Sequence, residues 1–447
     1  MTSTTLADWV FKSGTEREEF LRRNPATSTI VRVAEDLPLD DIPQNSMLFI
    51  ATSNVAYMNH GLHEFPAKYI PQVPKWAIRK YSKEGQTILD PMCGSGTTLV
   101  EARLNSRNSY GIDIEPLACL LSKVKTTPLD PSQLRHEHHA LLNRIRRGEK
   151  VETALRDFPN RDYWFRPEVT KDLANIKGMI DEIGDIDVRD FFLVCLSSII
   201  KRVSNADPEF VYALAYSKQM RKLDQQGRTI NVEREFEKTC EKQLPGMIEF
   251  CSKASKQNFC AVSQGDARRI ELDADSIDLA VTSPPYINAV DYVRAHKLEM
   301  YWLGLIRTST LELQQNFIGT ERVKVSDYGT VHHSGIGILD DAVDRIYAGG
   351  DKRRAFVVFK FFDDMKQNLV EIRRVLRRGG RYVVVIGDGK VRGENVPTHE
   401  ILSSIAKQEG FTLERTFGYI IRGRHMKIPR QGIGGLIEAD WIVTLQK

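Results

Sequence analysis

Thr87-Ile88-Leu89-Asp90-Pro91-Met92-Cys93-Gly94-Ser95-Gly96-Thr97-Thr98 is a hydrophobic strand, a glycine-bearing turn and the start of a helix. Glycines at 94 and 96 let a ligand approach the backbone closely, and a helix N-terminus offers free N–H groups. A phosphate loop requires Gly-Lys-Ser/Thr after the turn, and a dinucleotide fingerprint requires Gly-x-Gly-x-x-Gly. Neither is present.

Downstream, Ser109-Tyr110-Gly111-Ile112-Asp113-Ile114 reads as a second strand ending in an acid. A carboxylate there would accept two ribose hydroxyls, as in other nucleotide-binding α/β folds. Gly265-Asp266-Ala267 follows a third strand at Phe259-Cys260-Ala261-Val262. Ile277-Asp278-Leu279-Ala280-Val281 then reads as a buried strand of a parallel sheet, and it ends in Thr282-Ser283-Pro284-Pro285-Tyr286. Two consecutive prolines fix φ and remove two backbone donors, so the carbonyls of Ser283 and Pro284 stay free to accept hydrogen bonds. A serine hydroxyl and an aromatic ring flank them. Such a corner suits an exocyclic amino group, which has hydrogens to donate and a flat ring to stack.

Each signal alone has an ordinary explanation. A Gly-x-Gly turn is a common βα connection, a Pro-Pro pair stops strands, and single aspartates cap helices. Their order matters more, because they fall at the carboxyl ends of predicted strands, where open α/β sheets bind ligands. In that order they resemble the S-adenosylmethionine-dependent DNA amino-methyltransferases, which methylate N6 of adenine or N4 of cytosine. Ser283-Pro284-Pro285-Tyr286 matches that family's (D/N/S)-P-P-(Y/F/W) motif IV, and Gly94-Ser95-Gly96 after Asp90-Pro91 looks like its motif I. His63-Glu64-Phe65-Pro66-Ala67-Lys68-Tyr69-Ile70-Pro71 matches motif X, the segment that closes over the cofactor.

The resemblance covers about 60–128 and 259–445 and implies an α/β, Rossmann-like class I methyltransferase sheet with an antiparallel terminal strand. It implies S-adenosylmethionine as cofactor. The binding residues would be Phe65, Pro66, Ala67 and Lys68, then Asp90, Pro91, Cys93, Gly94, Ser95, Gly96 and Thr97 around the methionine part. Asp113 and Ile114 would take the ribose, and Asp266 with Ala267 the adenine. The catalytic residues would be Ser283, Pro284, Pro285 and Tyr286.

An aromatic amine is a poor nucleophile because its lone pair is delocalised into the base. Acceptors at Ser283 Oγ and the Pro284 carbonyl would bind the amino hydrogens and aim the lone pair at the methyl carbon, which is positioning plus electrostatic stabilisation. Tyr286 would stack on a base flipped from the duplex. Serine is a weak base, so proton loss would follow transfer, to water or to a nearby acidic residue such as Asp291. The Pro-Cys pair of cytosine-C5 enzymes is absent. Serine at the first motif position favours N4 of cytosine over N6 of adenine, with an RNA base amine as a further alternative.

The chain divides into a 1–59 arm or cap, a first core half at 60–130, a mainly helical insertion at 131–257, and a second core half at 258–447. The second half contains an excursion at 287–365, with a loop region rich in Gly, Asp and His. Strands near 411–421 and 439–445 suggest a final antiparallel hairpin. The element that reads the target lies in 131–257, in 287–365 or in both. Tyr163-Trp164-Phe165 opens the insertion with an aromatic cluster; such clusters are usually core, but one ring could stack on a base.

Composition adds limits. The 447 residues have 63 Lys+Arg against 59 Asp+Glu, so overall charge does not identify a nucleic-acid binder. Local clusters say more, above all the glycine-rich basic segment 422–435, which could track phosphates. Double-stranded DNA is the expected partner, with a cognate restriction endonuclease beside it. The six cysteines are scattered without a Cys-x-x-Cys pair, which argues against disulfides and zinc. No apolar run is long enough to span a membrane and Met1–Ala7 lacks a signal-peptide core, so the expected location is cytoplasmic.

Overall fold

The computed structural model describes residues 14–23, 26–40, 42–51, 54–153, 157–210, 214–287, 291–306, 310–421 and 437–447. The basic segment 422–435 singled out above lies outside the described residues.

The described strands are β1 (Thr29–Val33), β2 (Ser46–Ile50), β3 (Thr87–Asp90), β4 (Asn108–Asp113), β5 (Cys260–Gln264), β6 (Ile277–Thr282), β7 (Leu376–Gly387), β8 (Gly389–Val391), β9 (Glu394–Val396), β10 (Thr412–Ile420) and β11 (Ala439–Gln446). Nine of them form one sheet in the order β1-β2-β10-β11-β7-β6-β3-β4-β5, while β8 and β9 make a separate hairpin. Only β11 runs antiparallel within the large sheet, to β10 on one side and β7 on the other. The expected α/β sheet with an antiparallel terminal strand is therefore present.

Alternation explains the layers. Val383 and Val385 pack with Leu279, Val281 and Trp76 on one face, whereas Val384 and Ile386 pack with Ala280 and Phe361 on the other. Successive strand residues point to opposite faces, and both faces here are apolar, so helices cover both. Helix Gln72–Tyr81 lies on the first face, and helices Lys352–Val375 and Thr398–Gln408 on the second.

Two features depart from the sequence reading. Residues 29–50, expected only as arm or cap, add β1 and β2 to the sheet edge beside β10. Within β7, Gly379 has φ +78° at an irregularity where pairing jumps from Ile277↔Leu376 to Leu279↔Arg381. The 287–365 excursion is largely helical, with helices Tyr292–Ala295, Lys297–Leu303, Thr310–Asn316 and Gly337–Ala348. Leu339, Val343 and Ile346 recur at helical spacing on the last of these and are buried, a stronger influence than its glycine-rich approach.

The 131–257 region folds as helices Pro131–Arg146, Pro167–Asp181, Ile186–Val203, Lys218–Gln225 and Val232–Lys253, with the short Arg161–Trp164 between the first two. Its core, including Phe191, Phe192, Leu173 and Phe236, is continuous with Leu117 and Leu121 of helix Pro116–Thr126 and with Leu298 and Trp302. The chain steps outward through β3, β4 and β5, then returns to lay β6 on the other side of β3. The carboxyl ends of β3 and β6 thus flank the switch point, where such sheets open a crevice.

Candidate active site

A crevice opens at that point, and its walls include Phe65–Lys68, Pro91, Cys93–Ser95, Thr97, Asp113, Ile114, Asp266, Ala267, Ser283 and Pro285. Segments more than 200 residues apart in sequence therefore meet in one cavity, as the order of motifs anticipated. Asp90, Gly96, Pro284 and Tyr286 stand outside its wall.

Asp90 shows why. Its carboxylate is buried at the end of β3 and accepts from Thr98 Oγ1 at 2.5 Å, Thr282 Oγ1 at 2.7 Å and Met92 N at 3.2 Å. Tyr69 adds its hydroxyl to Thr98. Asp90 thus ties β3, the helix start and β6 together behind the crevice wall. Burial pushes its pKa up to about 6.

The two turn glycines differ as well. Gly94 has φ +50° and would place a Cβ 3.3 Å from the Phe65 ring; Gly96 has φ +81° and would place one 2.8 Å from Ser122 Oγ. The first keeps the crevice floor free of a side chain, and the second lets helix Thr97–Leu104 seat against helix Pro116–Thr126. Ser95 Oγ, between them, is buried without a hydrogen-bond partner. An orphaned polar atom in a cavity wall is a ready contact for a polar ligand.

Asp113 ends β4 and accepts from Gly94 N at 2.8 Å and Glu115 N at 2.9 Å, which holds the turn against the strand end. Burial pushes its pKa up to about 7. A carboxylate has about four acceptor sites, so two backbone bonds leave capacity for hydroxyl donors. Asp266 enters already compensated: Arg268 Nη2 donates to it at 2.7 Å and Arg268 Nε at 2.9 Å, while Arg268 Nη1 reaches Asp364 at 2.8 Å.

At the other end, Ser283 and Pro285 face the crevice and Pro284 is buried behind them. Tyr286 donates its hydroxyl to Asp440 Oδ1 at 2.8 Å, and Tyr419 donates to Asp440 Oδ2 at 2.7 Å. A Cβ on Gly387 would lie 3.1 Å from Tyr286 Cε1, so β7 and β11 together fix this ring. Asp291 does not line the crevice. Its carboxylate caps helix Tyr292–Ala295 through Arg294 N at 3.0 Å and takes two bonds from Gln314 Nε2 at 2.9 and 2.7 Å.

Glu115, Tyr292, Phe317 and Ile318 also line the crevice and were not singled out in the sequence. Tyr292 stacks between Phe65 at 5.9 Å and Phe317 at 6.2 Å, forming an aromatic column along the wall. His296 Nδ1 lies 2.8 Å from Glu115 Oε1, and its ring is 4.8 Å from Phe65. Proximity to the Ser-Pro-Pro-Tyr corner was a usable signal for Tyr292. None existed for Phe317, which arrives through the fold of helix Thr310–Asn316.

Among the described residues no group of three or more His, Cys, Asp or Glu side chains could hold a metal ion, and no helix is long and apolar enough to cross a membrane. Residues 22–124 match the N6/N4 methyltransferase family model, described as a DNA methylase. Type II methyltransferase M.MvaI of Kocuria varians is 28% identical over 388 residues, covering 81% of this chain and 84% of its own. Type II methyltransferase M.MjaII of Methanocaldococcus jannaschii is 22% identical over 356 residues, covering 60% and 67%. Among solved structures, a SAM-dependent methyltransferase of Methanosarcina mazei aligns over 83% of this chain and 96% of its own at 10% identity, with a TM-score of 0.31. Family model and type II relatives agree with the motif order, and together they support the S-adenosylmethionine-dependent DNA amino-methyltransferase family.

Proposed function

We propose that this chain methylates the exocyclic N4 of cytosine at a specific sequence in duplex DNA, as the modification partner of a restriction endonuclease. One observation carries the reading: Ser283 and Pro285 share a crevice with the Gly94–Ser95 turn, Asp113 and Asp266. The cavity suits S-adenosylmethionine by its own chemistry. Gly94 leaves the floor open, Ser95 Oγ lacks a partner, and Asp113 retains acceptor capacity. When bound, that cofactor supplies an electrophilic methyl group on sulfonium. Phe65, Pro66, Ala67, Lys68, Pro91, Cys93 and Thr97 complete its surroundings, with Ile114, Asp266 and Ala267 at the nucleoside end.

The chain's residues bind and orient. Ser283 Oγ and the Pro284 carbonyl accept the amino hydrogens and draw the nitrogen toward tetrahedral geometry. Tyr286, fixed through Asp440, offers its ring to the extruded base. With Asp291 engaged as a helix cap, the amino proton passes to water after transfer. A neutral serine, in place of an aspartate, puts no negative charge beside the N3 acceptor of cytosine, which is the reason for preferring that base. N6 of adenine is the alternative, since the same two acceptors suit its amine.

Tritiated methyl transfer from S-adenosylmethionine into mixed genomic DNA, followed by nucleoside mass spectrometry, tests the reading with Pro285→Ala as control. N4-methylcytosine that disappears in the control is the expected result. N6-methyladenine would keep the enzyme class and overturn the serine argument. Methylation confined to RNA would overturn the DNA substrate.

A further inference from the structure

The helical insertion carries an exposed patch that the crevice chemistry does not use. Tyr163 is 47% exposed. Tyr163 meets Tyr216 edge to face at 5.8 Å, and the Arg221 guanidinium lies 5.1 Å over the Tyr216 ring while Nη2 donates to Tyr163 Oη at 3.4 Å. These three side chains line an open groove.

Asp224 is compensated by Arg166 at 2.8 Å, Arg228 at 2.7 Å and the Tyr216 hydroxyl at 2.6 Å. Lys218, Arg221 and Lys222 are exposed on helix Lys218–Gln225, and no carboxylate among the described residues pairs with any of them. Elsewhere arginines are commonly paired, as in Arg144 with Glu149 and Arg381 with Glu414.

The patch is also built onto the crevice. Phe158 stacks on Tyr301 at 5.0 Å and Phe165 meets Trp302 at 5.5 Å, both on helix Lys297–Leu303. That helix directly follows Tyr292–Ala295, which carries Tyr292 in the crevice wall, and Arg294 Nη2 donates to the Leu214 carbonyl at 3.4 Å. A rigid mount therefore links the patch to the corner where the base is held.

We propose that this patch is a duplex-DNA contact surface. Lys218, Arg221 and Lys222 neutralise backbone phosphates, and the exposed Tyr163 ring covers a nucleotide. The occupant follows from charge complementarity, because three cations without carboxylate partners among the described residues, one of them set against two tyrosine rings, fit a polyanion with flat bases. The inference rests on DNA being the substrate.

The test compares wild type with Arg221→Gln, Tyr163→Ala and the triple Lys218→Ala/Arg221→Ala/Lys222→Ala variant. Cognate-duplex binding is titrated across salt, and S-adenosylmethionine binding serves as the folding check. Expected results are unchanged cofactor binding, roughly tenfold weaker DNA binding for Tyr163→Ala, and a salt slope reduced by about one for each phosphate contact removed. Should the triple variant lose cofactor binding, Arg221→Gln alone decides. Variants that bind duplex with wild-type affinity and slope, while wild type methylates DNA, overturn the surface. A wild type that methylates no DNA overturns the function above and this inference with it, so the two failures are distinguishable.

Discussion

Asp90, Asp113 and Asp440 around the crevice are buried or nearly so, and each accepts hydrogen bonds from at least two groups of its own chain. On the insertion, Lys218, Arg221 and Lys222 are exposed and have no carboxylate partners among the described residues. Burial makes an unpaired charge expensive, so the crevice must satisfy its acids internally, and their partners dictate where strands and turn sit. Solvated cations carry no such demand and remain available to an external polyanion. One region positions by internal bonds; the other attracts.

That contrast can be broken or sharpened experimentally. The largest effect is expected at Ser283→Ala, which removes an acceptor for the amino hydrogens without touching the cofactor turn. Single-turnover methylation should slow about 100-fold, with S-adenosylmethionine affinity unchanged by calorimetry. A matching loss of cofactor affinity would mean that the two ends of the crevice are not separable.

Gly96→Ala comes next, because it strains a backbone at φ +81° and drives a Cβ to 2.8 Å from Ser122 Oγ. Thermal unfolding should report a loss of about 2 kcal/mol. An unchanged melting temperature would show that the two helices can part without cost.

Asp113 supplies a pH test. Its pKa rises from 3.8 to about 7 through burial, so the folded protein holds a proton that the unfolded chain releases. The stability this contributes is complete below 3.8 and is lost as pH rises through about 7. A ligand whose hydroxyls donate to the ionised carboxylate binds in the opposite sense. Cofactor affinity should rise as pH climbs toward 7, by up to about tenfold per unit, and then level off. Asp113→Asn should flatten the profile and weaken binding by about tenfold at pH 8. A profile unchanged by Asp113→Asn would remove the carboxylate from cofactor binding.

Much of the fold was legible because its signals are local. Apolar runs bounded by Gly-Ser-Gly or Pro-Pro mark β3, β4 and β6 and the turns after them, and the final two strands announce the antiparallel hairpin. The sequence misled where a residue type serves two ends equally well. Asp90 and Asp291 look like site carboxylates, yet one ties two strands together and the other caps a helix. β1 and β2 carry little alternation of their own and become strands by pairing onto the β10 edge.

By itself, then, the sequence determined the α/β class, the motif order and the residue types suited to a methyl donor and an amine. Strand–turn–helix signals depend on neighbours a few positions apart, and that is why they can be read directly. Only the tertiary structure decided which acids face inward, that Tyr292 and Phe317 complete the crevice wall, and that the insertion's cations are left exposed without carboxylate partners among the described residues. Those outcomes depend on burial and on contacts between segments up to hundreds of residues apart, where the same side chain is a ligand in one setting and a strut in another.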